Sequence, residues 1–578
     1  MEIINGSKYR WRIAQPDSSS VLDIASRYNV SFAIAQTLVT RGYTTHDQVE
    51  SFLFSSFEKD VAHPALMKDA QKAVERIIRA IDAREKILIA GDYDVDGITS
   101  SALMMTSLLP LGAQINFFLP HRVRDGYGLS VKTVERAAQN GYKVIVTVDN
   151  GITAFEPARR AKELGIDLII TDHHKPHDHL PDAYAVVDPH QHDCPYPFKY
   201  FAGVGVSFKL MTLLYELKGI PSLPVKALEL LLLGTVADVV PLKDENRFWV
   251  RHCLLQVNRQ QSISLNVLKS NGKVDKAEIS ATDVGFSLAP QINALGRLED
   301  PRQGVKFLLG VDEDEVAQVG KVLYELNQAR KEIERSIVQQ VQVEIESGRI
   351  DLSKENIVVA ASDQWPPGVI GLVASRIVGQ YGRPTILLHV TDKGIAKGSC
   401  RSIPEFNMFN ALEKCKDLLL QFGGHAQAAG LSLEIDKIPA FKQRLEQLIA
   451  EQLTAEDLQQ KIRLDAEVAL SELTKKFITD MQLLEPFGNE NPQPAFYLKG
   501  VSLVGKPSLL KDVHVKCAIF ADGVIKQLIF FNRPDIFTLL TEHEQGTFDV
   551  AAHVSENHWN GRSTIELNGI DIALRGAL

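Results

Sequence analysis

The chain has 578 residues, 45% of them hydrophobic and 23% charged, with a formal net charge of −9. It is too long for one core, so three or four domains are expected, and its acidic balance excludes a protein basic over its whole surface while allowing local basic grooves. Five scattered cysteines (Cys194, Cys253, Cys400, Cys415, Cys517) without a CxxC spacing suit a reducing compartment, not a disulfide framework. No basic-then-apolar leader opens the sequence, and the longest mainly apolar stretch, 230–240, is too short to span a bilayer. The expectation is a cytoplasmic protein that does not engage a membrane.

Residues 1–55 read as an auxiliary helical segment, since Val21–Tyr28 and Phe32–Leu38 have helical apolar spacing. An amphipathic helix over Ala70–Ala83 leads into Ile87-Leu88-Ile89-Ala90, a buried strand. That strand runs into Gly91-Asp92-Tyr93-Asp94-Val95-Asp96-Gly97, where Gly97 is expected to permit a tight bend before a helix over Ser100–Leu109. Three carboxylates this close repel one another unless solvated, protonated or bound to a cation. Taken alone, the motif is explained equally well as a solvated turn with a helix cap.

A second strand, Ile115–Leu119, precedes a basic, glycine-containing loop in which Arg122 is the best candidate for a phosphate contact; Arg–Asp pairing in a solvated turn is the bland alternative. Strands Lys143–Val148 and Asp167–Thr171 end in Asp149-Asn150-Gly151 and Asp172-His173-His174. In an open α/β sheet the site lies at the carboxyl ends of the strands, so Asp92, Asp94, Asp96, Asp149 and His173 should converge. Asp238 stands in an apolar stretch and needs a cation or a hydrogen-bond partner there, unless it merely caps a helix end. Hard oxygen ligands with a borderline imidazole suit Mn²⁺ or Mg²⁺ better than zinc. So many carboxylates exceed the needs of one ion, and a metal pair about 3.5–4 Å apart sharing a carboxylate is the usual device for phosphoester hydrolysis. His177, His179, His190, His192 and Cys194 match no closed zinc pattern.

Residues 250–345 read as helical, with Lys321–Glu346 an exposed linking helix. Ile357–Ala361 starts a second α/β region, and Pro367–Arg376 reads as a glycine-containing turn opening a helix, a natural phosphate site. Beyond Ile462 come five short strands separated by turns, which suggests an OB-fold. Lys499, Lys506, Lys511, Lys516, Phe531 and Trp559 could grip a single strand there, although each aromatic alone is as readily a core residue.

The segments 91–97, 148–152, 172–174 and 234–242 resemble, in order and spacing, the four motifs of the DHH phosphoesterases. Asp125–Leu129, Asp283–Arg297, Gly398–Ser402, Phe422–Gly430 and Glu485–Gly488 narrow the resemblance to the RecJ group of bacterial single-strand-specific 5′→3′ exonucleases. The resemblance implies an α/β protein: an N-terminal helical segment (1–55), a DHH phosphoesterase domain with a parallel sheet (56–250), a helical connector ending in a long helix (251–350), a DHH-associated α/β domain (351–450) and a C-terminal OB-fold (451–578). It further implies two Mn²⁺ or Mg²⁺ ions. Asp94 and Asp96 would each hold one, Asp149 would bridge them, His173 and Asp238 would complete the second site, and Asp92 is a further candidate ligand. His174 would meet the scissile phosphate or the attacking water, and Arg122, Arg297, Ser399, Arg401 and His425 would bind substrate. Three positions depart from the group's pattern: Ala90 where some relatives carry His, Leu295 in place of Ala, and Pro366 where His is common. The implied activity is 5′→3′ hydrolysis of single-stranded DNA to 5′-mononucleotides in DNA repair and recombination, by a monomer working with single-strand-binding protein and a helicase. Two rivals are a small DHH phosphodiesterase of oligonucleotides or cyclic dinucleotides, which would lack the C-terminal strands, and a non-catalytic replication scaffold, which would lose metal ligands.

Overall fold

The computed structural model describes residues 2–121, 124–559 and 562–575. Arg122 and the side chain of Trp559 lie outside the described residues. The chain divides into two compact units, one of Met1–His46, Ala329–Gln482 and Pro494–Leu578, the other of Asp47–Gln328 and Leu483–Gln493.

The second unit is built on a five-stranded parallel sheet. Its strands lie in the order Gln114–Phe118, Lys86–Ala90, Tyr142–Val148, Asp167–Thr171, Ala185–Val187. The inner strands are buried on both faces, which is why they read as unbroken apolar runs. The helix after the first motif spans Val95–Leu108 and is buried along nearly its whole length. It starts a turn and a half earlier than the sequence suggests. Gly97 sits inside its first turn and makes no bend; a Cβ there would lie 2.4 Å from the Asp92 carbonyl oxygen. Helices Gly203–Leu217 and Lys226–Ala237 complete this core, and further helices, the first of them Asp244–Arg259, carry the chain to the long helix Glu313–Glu346.

The first unit holds a mixed five-stranded sheet ordered Gln421–Gly424, Ala428–Glu434, Ile395–Arg401, Thr385–Val390, Val358–Ser362. It also holds a barrel. Strands Phe496–Leu510, His514–Ala521, Val524–Phe530, Arg562–Leu574 and Thr547–Trp559 pair in that order, and the last pairs back to the first. This ring closes the sheet and removes its edges, as an OB-fold does.

The reading of residues 1–55 as helical is corrected at its start. Glu2–Asn5 and Arg10–Ile13 form a hairpin, and the second strand pairs in parallel with Lys461–Leu464. Helices begin only at Ser18. The hairpin is fixed by Asp571 on the last barrel strand, whose buried carboxylate accepts from Trp11 Nε1 (3.0 Å), the Tyr9 amide (3.0 Å) and Arg533 Nη2 (3.1 Å). Among the described residues, no helix is long and apolar enough to cross a membrane.

Candidate active site

Three neighbouring strands of the parallel sheet end in the three acidic motifs, so the pairing of Lys86–Ala90, Tyr142–Val148 and Asp167–Thr171 brings them to one edge. Asn150 ties two of these ends together: its buried amide donates to the carbonyls of Ala90 and Val148, both at 2.9 Å. Asp149, just before it, adopts a left-handed backbone (φ 61°), a strained choice for a non-glycine residue that turns the chain at the strand end.

Three overlapping groups of ligand atoms result. One oxygen each of Asp92, Asp94 and Asp149 lie within 4.8 Å of one another, as do atoms of Asp96, His173 and Asp238, and atoms of Asp149, Asp172, His173 and His174. Asp149 belongs to the first and third, and its Oδ1 lies 3.1 Å from Nε2 of His173, which joins the second. Asp96 and Asp238 each bring an oxygen to 3.7 Å from the same nitrogen. The sequence-derived set Asp92, Asp94, Asp96, Asp149, His173 and Asp238 is therefore brought together.

Helix ends place these carboxylates. Asp94 caps the helix Val95–Leu108, accepting from the Gly97 amide at 3.1 Å. Asp96 accepts from the amides of Gly203 (2.5 Å) and Val204 (2.8 Å), the positive end of the helix Gly203–Leu217. Asp238 caps the carboxyl end of the helix Lys226–Ala237, where the helix dipole disfavours an anion.

Burial, then the Asp94 charge, pushes Asp96 up to about 7. Burial and the surrounding aspartates hold Asp149 and Asp238 well above the usual carboxylate range. Such a cluster stores repulsion that a divalent cation would relieve. Its oxygen-rich donors with one imidazole fit Mn²⁺ or Mg²⁺ at two positions sharing Asp149.

The paired histidines differ. Burial and its cationic neighbour push His173 down to about 4, leaving a neutral imidazole fit to ligate. Burial opposes charge on His174 too, but the hydrogen bond from Nδ1 to Asp172 (2.8 Å) and the Asp172 charge override it and push His174 up to about 9. Asp172 is fully buried and also accepts from the Ile152 amide at 2.9 Å. Its orienting role was not legible in the sequence, where it reads as one more acid beside two histidines. Tyr127 was also unassigned; its hydroxyl donates to the Asp149 carbonyl (3.2 Å) and its ring meets His174 edge-on.

Arg297 lies in the same unit, on the helix Ala289–Leu298. That helix approaches the first motif closely, since a Cβ on Gly296 would stand 2.1 Å from the Tyr93 carbonyl oxygen. Ser399, Arg401 and His425 belong to the other unit. Arg401 donates to Ser399 Oγ at 3.2 Å along one strand, and His425 is exposed in a hairpin turn.

Family models match in chain order: the DHH family N-terminal domain over residues 86–235, the DHHA1 domain over 354–451 and the RecJ OB domain over 464–571. The single-stranded-DNA-specific exonuclease RecJ of Bacillus subtilis (strain 168) is 36% identical over 570 residues, which cover 98% of this chain and 71% of that protein. The crystal structure of RecJ in complex with Mn²⁺ from Thermus thermophilus matches with a TM-score of 0.82 at 28% identity, covering 99% of this chain and 80% of that one. The Mg²⁺ complex from the same organism matches with a TM-score of 0.76 at 25% identity and similar coverage, 99% and 79%. With the strand-end carboxylates, the closed barrel and identity over nearly the whole length, the chain belongs to the RecJ family of the DHH phosphoesterases.

Proposed function

We propose that this protein is a single-stranded-DNA-specific exonuclease that releases 5′-mononucleotides in the 5′→3′ direction and serves DNA repair and recombination. The observation that carries the reading is the double carboxylate–imidazole cluster sharing Asp149, set at the carboxyl ends of the parallel strands. Family membership supports it.

In this reading Asp92, Asp94 and Asp149 hold one divalent ion, while Asp96, Asp149, His173 and Asp238 hold the other. When bound, Mn²⁺ or Mg²⁺ supplies a lowered water pKa and neutralises charge on the phosphoryl oxygens. His173 stays neutral and ligates. His174, held as a cation by Asp172, presents Nε2 to a non-bridging phosphate oxygen. Arg122, Arg297, Ser399, Arg401 and His425 hold substrate phosphates and fix the register of the strand. The barrel adds grip without reading sequence.

Boundaries at 55, 250, 350 and 450 divide these tasks among the domains. Single-strand-binding protein and a helicase are the expected partners of a cytoplasmic monomer. The bridging role of Asp149 is tested by Asp149→Ala: Mn²⁺-dependent hydrolysis of single-stranded DNA should disappear while the circular dichroism spectrum and strand binding persist. Retained turnover would refute it.

A further inference from the structure

Three segments far apart in sequence meet beside Asp238 in one unit: Val236–Leu242, Ala281–Phe286 and Phe487–Gln493. They enclose a half-open cavity of about 440 Å³, in the size range of small-ligand sites. Its walls are apolar. Its polar groups are few: the Thr282 hydroxyl and the Asn489 and Gln493 amides.

Two further features converge on this cavity. Val239 has φ 59°, an outlier for a β-branched residue, and the residue is 63% exposed. Asn489 Nδ2 holds the strained turn by donating to the Val239 carbonyl at 2.7 Å. Opposite it, Val284–Leu288 winds as a π-helix, a form that clusters at functional sites, and leaves Phe286 81% exposed. Val239 follows the helix-capping Asp238, where a left-handed residue ends the helix, and Phe286 leaves an aromatic face open to solvent.

We propose that the cavity is a nucleobase pocket, in which one base of the strand stacks on Phe286. This deepens the exonuclease reading and rests on it. The cavity lies next to the candidate metal centre along the chain: Ala237 and Val239, on either side of the ligand Asp238, both line it. A phosphate at the ions therefore places the base of a nearby nucleotide within reach. An aromatic wall with a few hydrogen-bonding amides accepts any base, which suits binding without sequence preference.

The test uses the full chain and a single-stranded oligonucleotide carrying one 2-aminopurine at successive positions from its 5′ end, with Ca²⁺ in place of Mn²⁺ to keep the ion sites charged while suppressing hydrolysis. The expected result is a fluorescence change confined to one position, lost in Phe286→Ala and kept in Phe286→Tyr, with about tenfold weaker binding for Phe286→Ala. Phe286 is exposed, so truncation should leave the melting temperature unchanged. A fluorescence pattern identical in wild type and Phe286→Ala overturns the pocket and leaves an apolar peptide as the alternative occupant. Adding Mn²⁺ to the same strands separates the two ideas. A position-specific signal without hydrolysis overturns the exonuclease activity alone, while absence of strand binding overturns both.

Discussion

The Nδ1 atom of His174 stands 2.8 Å from Oδ1 of Asp172, and this contact favours the charged form of His174 while burial favours the neutral form of its neighbour His173. His174 is pushed up to about 9 and His173 down to about 4. One imidazole is left to ligate and the other to meet negative charge. Asp172 thus acts through His174 and not on the substrate.

Asp172→Asn should therefore reduce kcat by about 10–100-fold, the usual cost of losing an orienting partner, with little change in bound metal. Steady-state hydrolysis and metal analysis by mass spectrometry check this. An unaltered kcat contradicts the orienting role, and loss of both metals would make Asp172 a ligand instead.

Stability and metal binding should be linked through pH. An unfolded aspartate titrates near about 3.9, whereas burial and then neighbouring charge hold Asp96 at about 7 in the metal-free fold. A folded pKa raised above the unfolded one contributes stability that is present below the unfolded value and lost as pH rises through the folded value. The metal-free protein should weaken between about pH 4 and 7. Divalent ions select the deprotonated ligands and offset their repulsion. The rise in melting temperature on adding Mn²⁺ should be larger at about pH 8 than at about pH 6, and calorimetry should record proton release on binding. A rise that is equal or smaller at the higher pH contradicts this linkage.

Asp571 should matter to the fold and not to chemistry. Asp571→Ala leaves the Trp11 indole and the Tyr9 amide without their acceptor, while Arg533 keeps Asp535 and the Ile570 carbonyl. Leaving a buried donor unsatisfied typically costs about 1–3 kcal/mol. Denaturant titration should show a loss of this size, with kcat on a short oligonucleotide unchanged below the transition. A loss under about 1 kcal/mol would place the hairpin's anchor elsewhere.

The parallel sheet was legible because strands buried on both faces write themselves as apolar runs, and because each run ends in acids or histidines. Convergence of Asp92, Asp149 and His173 then followed from topology alone. The N-terminal hairpin was not legible. Glu2–Asn5 and Arg10–Ile13 are four residues each, too short for a clear period, and their partner Lys461–Leu464 lies far along the chain. The start of the helix Val95–Leu108 was missed because glycine is a poor helix former. At Gly97 the close approach of the Asp92 backbone overrides that propensity. The long helix begins at Glu313, ahead of the expected Lys321, with Glu313, Asp314 and Glu315 in its first turn as the overlooked signal. The role of Asp172 depends on burial and on one hydrogen bond, neither of which spacing reveals.

The most direct test of the central claim is product analysis with Mn²⁺ on 5′-phosphorylated single-stranded DNA labelled at one end or the other, beside the matched duplex and a dinucleotide. The account predicts labelled mononucleotide at once from the 5′-labelled strand, only late from the 3′-labelled strand, and none from the duplex. Cleavage of the dinucleotide alone, release beginning at the 3′ end, or strand binding without hydrolysis would contradict it.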